Sequence, residues 1–367
     1  MTFFSLTQTT MQTTTAQPTA KRSDLLDILK GLLIISVVVG HCIQYGSGEQ
    51  FLRSYAFFEH PLFKFIYSFH MPLFMVICGY LFSFSIRSRS WQQQLKNRAR
   101  QLLIPITVWA TIIFAEKFIC AHFVDGEPIT GSIWTILNRW FNSITGNLWF
   151  LWAVFYNTLI VIFVNRVLKD SLWAYASIFA LSFLVPKAAL YCFMYPYFVM
   201  GYLYCKHLRE SHFVAEVMRY KRVLAIGVSV LFAVMLHFFD RGDYVYTTGT
   251  FIFRGGEPLQ QLGIDLFRLA IGAVGSLAVI AVTHEIHRLV GCRLGLLTHL
   301  GRKTMGIYIF SSYLIGRHLG RVIEALGVEG ANYGYIALES IAVIAICLAL
   351  IALTERNKTA RLLLLGQ

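Results

Sequence analysis

Apolar residues are gathered along this chain into runs of roughly 17 to 25, the length a helix needs to cross ~30 Å of hydrocarbon. Such runs fall near 28–45, 63–86, 101–121, 146–165, 171–187, 190–206, 223–239, 264–286, 304–318 and 333–354. The fifth and sixth are divided by Pro186 and Lys187, which either separate two spans or kink one long element. The pattern predicts an all-α integral membrane protein, a polytopic bundle of about ten transmembrane helices. Residues 1–21 are rich in Thr and Gln and lack a basic segment followed by a long apolar core, so they read as a disordered tail, not a cleaved signal. Residues 22–367 read as a single transmembrane domain without an internal repeat, a soluble domain or a long linker.

The polar gaps orient the bundle. If the N-terminus is inside, 22 of the 32 Lys and Arg fall in cytoplasmic gaps, including Lys21, Arg22, the group Arg87 to Arg100, the group Lys206 to Arg222, Arg302 and Lys303. This places both termini in the cytoplasm and requires an even number of spans. The two longer outer gaps, 122–145 and 240–263, mix Gly and Pro with aromatics; they either connect helices or form a rim over an outer opening.

Composition agrees with the pattern: 56% of residues are hydrophobic and only 14% charged, fewer charges than a soluble domain carries. The net charge of +13 argues for anionic lipid at the cytoplasmic surface and not for nucleic acid, because the basic residues are scattered in short clusters between apolar runs. The seven cysteines lie mostly inside apolar segments with no CxxC pair, so neither a disulfide framework nor a metal site is expected.

The first span, "DLLDILKGLLIISVVVGHCIQY", carries charge at one end and an imidazole near the other. Eleven helical steps lead from Lys30 to His41, about three turns, so the two share a face roughly 16 Å apart along the axis, and Asp27 shares that stripe. An ionisable group within a span is costly and marks a cavity or a partner, which makes His41 a candidate catalytic residue. Lys30 either binds an anion or snorkels to headgroups while pairing with Asp27. His70 in the second span and Glu116 in the third reach a similar depth to His41 and are further candidate catalytic residues. Asn147 and Trp149 at the start of the fourth, and Asp265 with Arg268 at the start of the eighth, are candidate substrate-binding residues, or simply interfacial helix ends. At the inner surface, Arg98 and Arg100 lie against the third span, where guanidinium groups suit phosphates.

The segments "DILKGLLIISVVVGH", "FHMPLFMVICGYLF", "RARQLLIP", "NLWFLWAVF" and "LGRKTMGIYIF" together resemble the family-3 membrane acyltransferases, in particular the bacterial branch similar to fucose 4-O-acetylase-like proteins. The resemblance runs from about residue 22 onward. It implies a multi-pass O-acyltransferase of the bacterial plasma membrane that passes an acetyl group from acetyl-coenzyme A (acetyl-CoA) to a polysaccharide or lipid-linked sugar. It also implies catalysis by the position of His41 and a need for those of Lys30 and the arginines before the third span. The chain departs from the pattern in having Lys30 where many members have Arg, and Gln101 where relatives often have a basic residue. The competing class is a transporter or flippase with intramembrane His, Glu and Arg as a relay. The key groups concentrate in the first four spans, with no matching broken helices in paired inverted halves, and this favours the enzyme. The oligomeric state is left open.

Overall fold

The computed structural model describes residues 23–126, 128, 132–290 and 294–367; the tail expected at 1–21 and the basic positions Lys21, Arg22 and Arg293 lie outside them. Among the described residues every regular element is helical. The principal helices are α1 (Asp24–Tyr45), α2 (Pro61–Ser88), α3 (Trp91–Ile119), α4 (Ile133–Gly146), α5 (Trp149–Val167), α6 (Leu172–Ser182) and α7 (Ala189–Leu203). They continue with α8 (Lys221–Phe238), α9 (Pro258–Val290), α10 (Gly295–Arg302), α11 (Thr304–Leu314), α12 (Tyr333–Glu355) and α13 (Lys358–Leu365).

Among the described residues, seven helices are long and apolar enough to cross a membrane: α1, α2, α3 with its π-helical extension to Val124, α5, α8, α9 and α12. The other three expected spans are shorter or broken. Around Pro186 and Lys187 the chain forms two elements, α6 of 11 residues and α7 of 15, with Lys187 in the left-handed region at φ 64°. The ninth begins as α11 and continues through a π-helical turn, Ile315–Leu319, into Gly320–Ala325. Pro186 disfavours helical backbone at the residue before it, and a π turn shifts the register; neither break shows in an average of hydropathy.

α1 is the centre of the bundle. It packs against α2, α9, α10, α11 and α12, and 61% of its most apolar stretch is buried, against 6% for the peripheral α8. Asp24 and Asp27 in its first turn complement the helix dipole. Its contact with α10 is backbone to backbone: a Cβ on Gly31 would overlap the Leu297 carbonyl oxygen, and one on Gly301 would overlap that of Asp27. Only glycine permits this approach, which holds Arg302 beside the first turns of α1.

Two segments expected as loops are ordered differently. α3 begins at Trp91, with Ser90 as its cap accepting from the Gln93 N–H, so Lys96, Arg98 and Arg100 sit on helix and not in a loop. Within 122–145, the stretch from Ile133 onward is helical and amphipathic, running to Gly146; Ile133, Trp134, Leu137 and Phe141 are exposed on one side. A search for long apolar runs passes over such a helix, because half of its surface is polar.

The other long gap folds inward. Between α8 and α9 the chain makes short turns whose residues Asp243, Tyr244 and Val245 are buried. Arg268 of α9, 2% exposed, holds this segment: its Nε donates to the Asp243 carbonyl at 2.6 Å, its Nη1 to that of Gly249 at 2.6 Å and to Asp265 Oδ1 at 2.9 Å. Arg268→Met leaves the Asp265 carboxylate buried without its cation. It is expected to cost about 3–5 kcal/mol, read as a fall in thermal midpoint in detergent; an unchanged midpoint would show that the network is dispensable.

The α5–α6 connection is fixed by Asp170, which accepts from Tyr175 Oη at 2.7 Å, Tyr202 Oη at 3.0 Å and Lys206 Nζ at 2.5 Å. Burial works against its charge, yet the hydrogen bonds from Lys206 and Tyr175 outweigh it and hold the carboxyl at about 2, below its ordinary 3.8. A carboxyl lowered on folding contributes stability above its unfolded value and loses it as pH falls through the folded one. Hydrogen exchange at residues 168–172 is therefore expected to rise between about pH 4 and pH 2 in wild type. In Asp170→Asn it is expected to be high throughout; a flat wild-type profile would exclude the latch.

Candidate active site

His41 lies near the C-terminal end of α1, and its phase on the helix turns it into a cavity of about 250 Å³. One turn away on either side, Val37 and Tyr45 line the same space, as residues four apart on a helix share a face. From α2, Tyr67, His70 and Met71 complete the facing wall. The α4–α5 connection adds Asn147, Leu148 and Trp149. Leu148 takes φ 50°, a left-handed conformation uncommon for a branched side chain. This turn brings both Asn147 and Trp149 to the cavity. Tyr246 arrives from the segment held by Arg268, while Tyr308 and Ser312 come from α11.

The two imidazoles are set differently. His70 Nδ1 is 2.7 Å from the Ile66 carbonyl oxygen. In the neutral ring that nitrogen therefore carries the proton and donates, leaving the Nε2 lone pair for the chamber. The ring is buried and lies edge-on to Tyr67, 4.7 Å between centroids. His41 Nδ1 is shielded from solvent and has no hydrogen-bond partner among the described residues. A shielded, unpartnered ring nitrogen is one that a ligand can satisfy.

A second cavity of about 260 Å³ lies at the other end of α1. Lys30 of α1, Arg98 of α3 and Arg302 of α10 line it, together with apolar residues including Ile34, Phe74, Cys78 and Leu102. The Arg98 guanidinium lies over the Phe82 ring, 5.4 Å from its centroid. Lys30 pairs with Asp27 at 2.7 Å, and Arg302 approaches the same carboxylate at 3.4 Å. Three cations against one carboxylate leave an excess of positive charge at a partly apolar opening. Val37, Met71 and Tyr308 line both cavities, so the two spaces adjoin at these side chains.

This passage, with imidazoles at one end and basic groups at the other, is built by a chain whose residues 24–355, nearly its whole length, match the family model described as "Acyltransferase domain". The chain belongs to acyltransferase family 3. This acyltransferase is 31% identical over 297 residues to the nodulation protein NolL of Sinorhizobium fredii, covering 78% of this chain and 76% of that protein. It is 29% identical over 265 residues to the protein of the same name from Mesorhizobium japonicum, covering 71% of this chain and 67% of the other. No solved structure matches.

The acyltransferase fold gathers His41, His70, Asn147 and Trp149 at one cavity and Lys30 with Arg98 at the other. The remaining four candidates lie elsewhere. Arg100 is exposed, since two residues past Arg98 is a rotation of about 200° that turns it to the opposite face of α3. Glu116 pairs with Arg317 at 3.0 Å and does not line the His41 chamber. Asp265 and Arg268 form the buried pair that holds the segment carrying Tyr246. The residues not foreseen are Arg302 and the phenols Tyr45, Tyr67, Tyr246 and Tyr308. Tyr45 had a signal, lying four residues after His41 on the same face. The others come from elements whose approach is set only by tertiary packing.

Proposed function

We propose that the enzyme transfers an acetyl group from cytoplasmic acetyl-CoA to a hydroxyl of a polysaccharide or lipid-linked sugar on the outer side of the membrane. The observation that supports this reading is the shared wall of the two cavities, Val37, Met71 and Tyr308, which sets a basic cavity beside a histidine-bearing chamber. The basic excess supports a mouth on the cytoplasmic side, in the orientation that has both termini there. Lys30, Arg98 and Arg302 bind the phosphates of the donor, with Arg98 suited to a forked contact. The pantetheine arm lies along the apolar stretch, and helical rise gives it about 16 Å to cover from Lys30 to His41.

In the chamber His41 acts as general base, the neutral ring taking the proton of the acceptor hydroxyl as its oxygen attacks the thioester carbon. The C–S bond then breaks, and the imidazolium returns that proton to the departing thiolate. His70 accepts a sugar hydroxyl at Nε2. Tyr308, at the junction of the cavities, donates to the carbonyl oxygen as charge develops there. Asn147 and Trp149 form the acceptor side, a polar group beside an aromatic face. The test is to incubate purified protein with radiolabelled acetyl-CoA and polymeric or lipid-linked glycans. Label is expected on glycan hydroxyls; neither transfer nor donor hydrolysis, together with glycan uptake into proteoliposomes, would overturn the reading.

A further inference from the structure

A third cavity, about 530 Å³, adjoins the chamber and shares Gly146 and Asn147 with it. It runs as a cleft between the late part of α3, from which Phe114, Lys117 and Phe118 line it, and the polar face of α4, which gives Arg139, Asn142 and Ser143. Its walls are pinned to each other: Ser143 Oγ donates to the Ala110 carbonyl at 3.1 Å, and Trp140 Nε1 to Thr111 Oγ1 at 3.0 Å. Lys117 and Arg139 stand one on each wall and form no ion pair among the described residues. In the proposed orientation both lie on the outer side, where the charge bias of membrane proteins disfavours lysine and arginine. Two cations in a cleft joined to the chamber, against the topological preference and with no carboxylate among the described residues that line it, are the arrangement that recognises an anion.

We propose that this cleft is an acceptor subsite for an acidic glycan, in which Lys117 and Arg139 hold a carboxylate or phosphate while another part of the same acceptor presents its hydroxyl to His41. Phe114 and Phe118 offer apolar faces for the sugar rings, Asn142 offers its amide group to hydroxyls, and Asn147, whose amide nitrogen donates to Ser143, offers its amide oxygen. This rests on the acyl-transfer reading for the role of His41, but not for the binding itself.

The experiment measures binding to the full-length protein in phosphatidylcholine nanodiscs of a hyaluronan tetrasaccharide, which carries glucuronate carboxylates, and of its carboxyl-reduced neutral form. The acidic form is expected to bind about 10-fold more tightly at low salt, a difference that shrinks as salt rises. Lys117→Gln/Arg139→Gln is expected to abolish that preference, and Lys117→Arg/Arg139→Lys to keep it. Retained acetyl-CoA hydrolysis shows that each variant is folded. Equal binding of the two forms, no binding of either, or a preference that survives the Gln pair would overturn the proposal. So would loss of tetrasaccharide binding in phosphatidylglycerol nanodiscs, because the cleft would then hold a lipid headgroup. His41→Ala separates the two readings: it is expected to keep acid binding and lose turnover, so the subsite stands or falls independently of the chemistry.

Discussion

His41→Ala is expected to lower acetyl transfer by about 10²–10⁴-fold, the usual worth of a positioned general base, while the affinity for acetyl-CoA stays as in wild type. The imidazole lies about 16 Å of helix rise from Lys30, too far to contribute to phosphate binding, so the loss belongs in kcat and not in the donor KM. His70→Ala is the internal comparison. His70 Nδ1 is already committed to the Ile66 carbonyl, so its removal takes away a fixed acceptor and one chamber wall. It is expected to raise the acceptor KM more than it lowers kcat. If His41→Ala keeps near wild-type turnover and His70→Ala does not, the roles are exchanged.

Arg98→Gln is expected to raise the donor KM by about 10- to 100-fold, from the loss of charged hydrogen bonds worth about 1.5–3 kcal/mol, with kcat at saturating donor little changed. Arg100→Gln, on the exposed face of the same helix, is expected to behave as wild type. The contrast tests the helical phase as much as the chemistry, because the two arginines are only two residues apart. Arg98→Lys keeps the charge but loses the fork and the guanidinium's place over the Phe82 ring, and an intermediate KM is expected. Steady-state kinetics with acetyl-CoA as the varied substrate read all three; equal effects at Arg98 and Arg100 would mean that the inner site recognises only bulk positive charge.

The long spans are legible because each is a local fact of hydropathy, and the shared face of Lys30 and His41 follows from helix geometry alone. Both residues line the passage, at its opposite ends. What does not show in sequence has nameable causes. Arg98 and Arg100 look equivalent on a loop; the Ser90 cap makes their segment helix and divides them between faces. Glu116 has the depth of the chamber, but depth does not fix azimuth, and it meets Arg317. Asp265 and Arg268 act on the site from behind, by holding the segment that brings Tyr246. Arg302 is visible in sequence only as one more basic loop residue, because its place depends on the backbone contact of Gly31 and Gly301 with opposite helices.

The wall common to the two cavities has an electrical consequence. If the two cavities take up water from opposite faces in the proposed orientation, the transmembrane potential falls mainly across the side chains common to both, Val37, Met71 and Tyr308. At about 2.3 kcal/mol per elementary charge per 100 mV, a large part of the field is then concentrated where the thioester would lie and where charge would separate during transfer. In the proposed reaction, the side chains that a pantetheine arm would pass are also those that would insulate one face from the other against protons.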